Sequence, residues 1–374
     1  MYDLHDYLEP VNISEISNDE AYNNKQIGSS IAMFSGNLPD IENKEVIILG
    51  VAEQRGAGLT SSSKAADSIR RQFYKLYQWH SDIEIADLGT IKTGSTLADS
   101  YAAIKTVVRE LIKMNKKVVL IGGSHDNTLA QYHCYRDLDK MIEATVIDAR
   151  IDLNNEAKLR SENFLMELLT TEPNQISQYN HIGFQSYFVH PTMLETLDKL
   201  RFDCFRVGVV KEAIEEMEPA MRNSHIVSID ISVIKNSDAP ANKCSPNGLS
   251  GEEACVLTRF AGMSSHLDTI GIYGYQPEND IKDLTAMQIS QMLWYFIDGR
   301  SRCRQEASLE DKHNFNEFHL RFSDMETTFL QSKRTGRWWM TGPDNKPIPC
   351  SNKDYQNATR NQMPERWLRA LERE

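Results

Sequence analysis

The sequence predicts an α/β fold, a doubly wound and mostly parallel sheet with helices on both faces. Two observations carry this. Short, almost continuously apolar, β-branched runs recur from Glu45 onward, as in strands buried on both faces of a parallel sheet. Each run ends in glycine or polar residues and is followed by a helical stretch, and that alternation builds one layered α/β domain. The length of 374 residues suits one large domain of this kind with extensions.

Residues 1–44 are polar, acidic and weakly periodic, with asparagine and serine throughout, and are expected to form an extension packed on, or trailing from, the main domain. The domain itself is expected over residues 45–299. Its strands are predicted at Val46–Leu49, Val118–Ile121, Ala144–Ile147, His181–Phe184, Phe205–Val209, Ile226–Ile231 and Thr269–Tyr273. Helices are predicted at Thr96–Met114, Thr128–Leu138, Gly251–Met263 and Asp283–Ile297. Ser250 followed by Glu252 and Glu253, and Asp280 ahead of Asp283, supply start signals for the last two.

After Arg300 the rhythm breaks. Glu317–Ser323 and Thr327–Ser332 read as a hairpin, a Gly-Pro and Pro-Ile-Pro stretch as a loop, and about Pro364 to Glu374 as a closing helix. Residues 300–374 are therefore expected to be a hairpin-helix extension packed on the core. Within it, Arg337, Trp338, Trp339 and Met340 have the composition of a protein-binding surface. The commoner role of such a cluster is to glue a tail to its domain.

Composition limits the function classes. Hydrophobic residues make up 40% and charged residues 25% of the chain, and mean hydropathy is -0.48, which describes a soluble chain with apolar mass for a sizeable core. Lys plus Arg number 41 against 53 for Asp plus Glu, a formal charge of -12. That balance opposes binding to a nucleic-acid backbone or an anionic membrane. Met1-Tyr2-Asp3-Leu4 lacks the order of a secretory signal, and no apolar run approaches the ~18 residues of a membrane span. The six cysteines are scattered without a CxxC pair, so reduced thiols and a cytoplasmic setting are expected.

Chemistry in an open α/β sheet gathers at the carboxyl ends of the strands. Four strand ends here carry suggestive residues: Gly122-Gly123-Ser124-His125-Asp126, Asp148-Ala149-Arg150-Ile151-Asp152, Ser228-Ile229-Asp230-Ile231-Ser232 and Tyr273-Gly274-Tyr275-Gln276-Pro277. Singly, a histidine after a glycine turn is usually structural, and an aspartate at a strand end often caps a helix. Together, His125, Asp148, Asp152 and Asp230 make a cation site whose imidazole and carboxylates suit manganese or another first-row divalent ion.

The order GGxH, DAxxD, SxDxx and an apolar strand ending in proline resembles the ureohydrolases: arginase, agmatinase and formimidoylglutamase. Gly50–Gly58 with Asp67-Ser68-Ile69-Arg70, Ala239-Pro240 and Ser245–Ser250 extend the resemblance over about Glu45 to Gly299, and the chain looks like a degenerate formimidoylglutamase-like member. The resemblance implies an arginase-like fold, a homo-oligomer, and a pair of manganese ions that activate water against a linear amidine or guanidine. It assigns His125, Asp148, Asp152 and Asp230 as metal ligands, with Asp152 and His125 beside the reacting water if the chain is active.

Three positions depart from the family pattern. Arg150 stands where DAHxD has histidine, Ser232 where SxDxD has its second aspartate, and Gly274 near the glutamate that grips the amidinium. The loop histidine after the aspartate motif has no counterpart in Asn154–Leu169. By the same resemblance, the retained residues correspond to the ligands of one metal and the lost ones to those of only the other. Three aspartates against one arginine leave a local charge that one divalent ion neutralises. Arg150 is therefore expected in the second metal's place, bridging Asp148 and Asp230, with a side chain swung out to solvent as the alternative, and one Mn2+ or none bound. Two functions follow as expectations: a pseudoenzyme with a binding, scaffold or regulatory role, or a one-metal hydrolase of an amidine C–N bond.

Overall fold

The computed structural model describes residues 4–16, 22–322 and 325–373. Its main sheet has ten strands: β1 (Leu8–Glu9), β2 (Ala32–Met33), β3 (Val46–Val51), β4 (Ile85–Ile91), β5 (Lys117–Ile121), β6 (Ile142–Ile147), β7 (Ile176–Phe184), β8 (Asp203–Arg206), β9 (Ile226–Asp230) and β10 (Thr269–Tyr273). The order β1-β4-β3-β5-β10-β9-β6-β7-β8 is parallel throughout except for β1, and β2 adds a parallel pairing to β4. Every residue of β3, β5 and β10 is buried, as their unbroken apolar runs predict. The expected strand Phe205–Val209 is corrected: β8 stops at Arg206, and Val207–Glu212 is helical.

The helices Thr128–Leu138 and Gly251–Met263 have the predicted bounds. Ser250 caps the latter in a box, its hydroxyl accepting from Glu253 N at 3.2 Å while Glu253 accepts from Ser250 N at 2.7 Å. Leu284–Arg304 starts where Asp280 accepts from Thr285 N at 3.0 Å, and runs seven residues past the predicted Ile297. A domain boundary at Gly299 therefore falls inside a helix, and Arg300 is buried against Glu45.

Strand β4 escaped the sequence reading because Asp87 and Gly89 interrupt it. Asp87 is fully buried and receives Arg70 through two hydrogen bonds of 2.9 Å, which fixes the helix Ala65–Phe73 to the sheet. The amino-terminal extension is packed rather than trailing, since β1 and β2 both pair with β4.

The carboxyl-terminal extension is larger than a hairpin and helix. Strands β11 (Phe315–Phe322), β12 (Met325–Ser332), β13 (Trp338–Thr341) and β14 (Pro347–Cys350) form a separate antiparallel sheet, followed by helices Asn352–Thr359 and Glu365–Arg373. The Pro-Ile-Pro stretch expected as a loop is the outer strand, where proline's missing N–H is tolerated. Ser323 and Glu374, expected ends of a strand and a helix, and Met1–Asp3 of the amino-terminal reading lie outside the described residues. Among the described residues no helix is long and apolar enough to cross a membrane.

The cluster Arg337, Trp338, Trp339 and Met340 lies where the extension meets the core, the arrangement expected of residues that glue a tail to its domain. Trp338, Trp339 and Met340 are buried, at 8%, 6% and 1% exposure. Arg222 lies 4.5 Å from the Trp339 ring centre and bonds the Trp338 carbonyl, while Arg222 and Arg337 both pair with Glu218. Removing Arg222 leaves buried Glu218 with Arg337 as its remaining partner and the Trp338 carbonyl without this donor, so Arg222→Ala is expected to cost about 1–3 kcal/mol. Urea unfolding followed by tryptophan fluorescence reads it, and an unshifted midpoint would refute the tether.

Candidate metal centre

The four central strands β5, β10, β9 and β6 end side by side, and each delivers one piece of the centre. After β5, Gly122 and Gly123 have φ of +89° and +75°, and a Cβ on Gly123 would lie 2.7 Å from the Glu53 carbonyl. Only glycine turns the chain there without strain. The same carbonyl accepts from Ser124 N at 3.0 Å and Asn127 Nδ2 at 2.9 Å, which ties the loop to the end of β3.

His125 is 3% exposed, with its ring edge-on to Phe164 at 4.8 Å. Its Nε2 lies 3.0 Å from Ser228 Oγ, Ser228 lies 2.6 Å from Thr128 Oγ1, and Thr128 donates to the His125 carbonyl at 2.7 Å. The directions close in one way. Thr128 gives its proton to the carbonyl, Ser228 donates to Thr128, and Nε2–H donates to Ser228. In a neutral ring Nδ1 is then the lone-pair nitrogen, and it points into the carboxylates.

Nδ1 is 3.2 Å from Asp148 Oδ2, 3.2 Å from Asp152 Oδ2 and 3.8 Å from Asp230 Oδ2. The first three donor atoms lie within 4.8 Å of one another and are buried. Asp230 stands slightly outside them, its side chain 17% exposed. This donor set would suit a divalent first-row ion of manganese type, with His125, Asp148 and Asp152 closest together and Asp230 just beyond them. The four predicted ligands therefore converge.

Electrostatics explain how the carboxylates coexist. Burial works against the His125 charge, but hydrogen bonds to Asp148 and Asp152 raise its pKa well above the ordinary value. Asp148 is held below the carboxylate range, because bonds from His125 and Ser232 outweigh its burial. Burial, reinforced by the charge of Asp148, pushes Asp152 up to about 8 and Asp230 to about 6.

The departing positions behave differently from one another. The Ser232 hydroxyl bonds Asp148 Oδ1, and its backbone N–H donates to Asp230 at 2.7 Å, so it joins the carboxylate network. Gly274 has φ +81°, and a Cβ there would lie 2.7 Å from Asp230 Oδ2, which leaves no room for a side chain without rearrangement. Arg150 does not bridge Asp148 and Asp230 as expected. Its guanidinium lies 5.0 Å from the Phe188 ring centre beside Cys244, and only its backbone N–H reaches Asp148. Stacking on an aromatic face keeps the cation hydrated at the surface, whereas insertion between the aspartates would bury it. Phe164 follows Asp152 in the segment that lacks a loop histidine, and Leu165 N bonds the Asp152 carbonyl at 3.2 Å.

The sequence reading missed His181. It is fully buried on β7, with Nε2 3.3 Å from the Asp148 carbonyl and Nδ1 2.8 Å from Tyr179 Oη. Burial pushes its pKa down to about 4, so it is neutral and orients the Asp148 backbone. It has no contrast in the sequence, because β7 also carries Ser177, Gln178 and Asn180 and a histidine does not stand out among them.

Residues 44–298 match the Arginase family. The chain belongs to the arginase family. It is 30% identical over 283 residues to the formimidoylglutamase of Staphylococcus haemolyticus, covering 70% of this chain and 89% of that one. In fold it is similar to formimidoylglutamase from Bacillus subtilis, with TM-score 0.66, 17% identity, and 76% and 96% of the two chains covered. It is also similar to the Trypanosoma cruzi formiminoglutamase solved with Mn2+, with TM-score 0.65, 16% identity, and 75% and 99% covered. The matched residues of this arginase-family chain hold every centre residue described above, and the sheet β11–β14 lies outside them.

Hydrogen bonds raise the His125 pKa and burial raises that of Asp152, so a metal ion competes with protons at both, and affinity is expected to rise as pH increases and to fall on acidification. Calorimetry with Mn2+ in buffers of different ionisation enthalpy counts the protons. Ser228→Ala removes the Nε2 anchor and is expected to weaken Mn2+ about 10- to 100-fold in the same assay.

Proposed function

We propose that this arginase-family chain takes at most one divalent ion, at His125, Asp148, Asp152 and Asp230, and acts as a pseudoenzyme with a binding, scaffold or regulatory role. The observation that carries the reading is the contact between Gly274 and Asp230. With φ +81° and 2.7 Å between a would-be Cβ and the Asp230 carboxylate, this strand end offers no carboxylate to orient an amidinium. Without that orientation the entropic and electrostatic advantage of the site is lost. Ser232 supports the same conclusion. Its hydroxyl occupies a lone pair of Asp148 that a bridging carboxylate would need for a second ion.

The metal, when bound, would supply a Lewis acid and a water of lowered pKa. His125, Asp148, Asp152 and Asp230 would hold the ion, while Ser228 and Thr128 keep the His125 tautomer fixed and Phe164 shields the ring. One observation favours a second reading, a one-metal hydrolase of a linear amidine: donor atoms of His125, Asp148 and Asp152 lie buried within 4.8 Å of one another, with Asp230 beside them. The Arg150 guanidinium beside this centre would then suit an anionic group on the substrate better than a second cation. We place the chain in the cytoplasm as a homo-oligomer, a setting that suits its six free cysteines.

Metal analysis of the purified chain is expected to give one Mn2+ or none per subunit, and Arg150→His combined with Ser232→Asp is expected to raise the maximum to two. Release of urea, ammonia or formamide from arginine, agmatine, guanidino acids and formimidoylglutamate is expected to stay at background with manganese present. Turnover at ordinary enzyme rates would defeat the pseudoenzyme reading.

A further inference from the structure

The ends of β6, β7 and β8 remote from the metal centre open into a cleft of about 790 Å³. Its far wall is the carboxyl-terminal extension, through β14 and the last two helices. Glu143, the second residue of β6, lies on the core side. Asp148 follows the same strand five residues later, so the two sites are about 16 Å apart along the sheet.

The core side of the cleft is short of hydrogen-bond donors. Gln178 is 8% exposed, and its Nε2 donates to Asp203 Oδ2 at 3.0 Å and Asn180 Oδ1 at 3.4 Å. Those two acceptors fix which way round the amide sits. Gln178 Oε1 is left buried without a partner, a state that native structures rarely leave unexplained. Beside it, Glu143 accepts only one long bond, from Asn223 Nδ2 at 3.4 Å, and burial raises its pKa above the ordinary value. Among the described residues Glu143 has no ion pair. An unpaired amide oxygen and an under-satisfied carboxylate side by side call for a group that donates several protons.

The opposite wall supplies the complement. Arg366 is committed to Glu216 and Asp354, and Arg373 to Asp203. Lys353, exposed on the first turn of Asn352–Thr359, has neither hydrogen bond nor ion pair among the described residues. Six carboxylates and five cations line the cleft in all, so it favours neither a polycation nor a polyanion.

We propose that this cleft is a second ligand site for a small zwitterion of amino-acid type, its ammonium held by Gln178 Oε1 and Glu143 and its carboxylate by Lys353. The ligand would bridge the core and the extension without touching the metal centre, so the proposal stands apart from the reading of that centre. It is tested by isothermal titration of the full chain with each of the twenty amino acids, with putrescine as a cation lacking a carboxylate, and with succinate as an anion lacking an ammonium.

At least one amino acid is expected to bind, with putrescine and succinate at least tenfold weaker. Glu143→Gln and Lys353→Ala are each expected to weaken that amino acid at least tenfold and to leave Mn2+ affinity unchanged. Because Lys353 is exposed, its variant keeps the test readable if Glu143→Gln disturbs the fold. The proposal is overturned if no amino acid binds, if putrescine binds as tightly as the best amino acid, or if Lys353→Ala binds like the unaltered chain.

Discussion

Three carboxylates gathered around one imidazole nitrogen are the constraint that the surrounding structure answers. Like charges buried this close repel, and an isolated buried carboxylate is strongly unfavourable. The chain meets the problem by sharing. His125 supplies a proton between Asp148 and Asp152, Asp152 retains its own, and Ser232 donates to the carboxylates from both hydroxyl and backbone. Protons thus do what a guanidinium was expected to do, and Arg150 is free to lie on Phe188.

The scaffold around that cluster consists of orientation devices. Two left-handed glycines swing His125 over the sheet, and the Ser228–Thr128 relay fixes which ring nitrogen faces inward. His181, neutral and buried, holds the Asp148 backbone from the neighbouring strand. None of these groups needs to touch an ion to decide how tightly one is held. Gly274 shows the same crowding from the other side: a Cβ there would lie 2.7 Å from Asp230 Oδ2, so a side chain at this position would require the carboxylate to shift.

What the sequence made legible follows from burial. Strands covered on both faces must be apolar, so β3, β5, β6, β9 and β10 stood out, and the polar residues at their ends stood out against them. The identities of His125, Asp148, Asp152 and Asp230 were readable for that reason. Strand β4 was hidden because its aspartate is neutralised by Arg70, a partner 17 residues away that periodicity cannot reveal. The tail's second half was hidden because proline in an outer strand looks like proline in a loop. The direction of Arg150 was out of reach. It depends on Phe188, which reaches the centre only through the packing of β7 beside β6.

The two extensions have a shared geometric property. The amino-terminal one lays β1 and β2 along β4, at one margin of the sheet. The carboxyl-terminal one sets Arg369 and Arg373 of its last helix against Asp203 of β8, at the other. A parallel sheet with bare margins offers unpaired backbone to any passing chain and is prone to stick to its own copies. Here sequence outside the arginase-family residues lies at both margins, as added strands at one and as a helix anchored by ion pairs at the other.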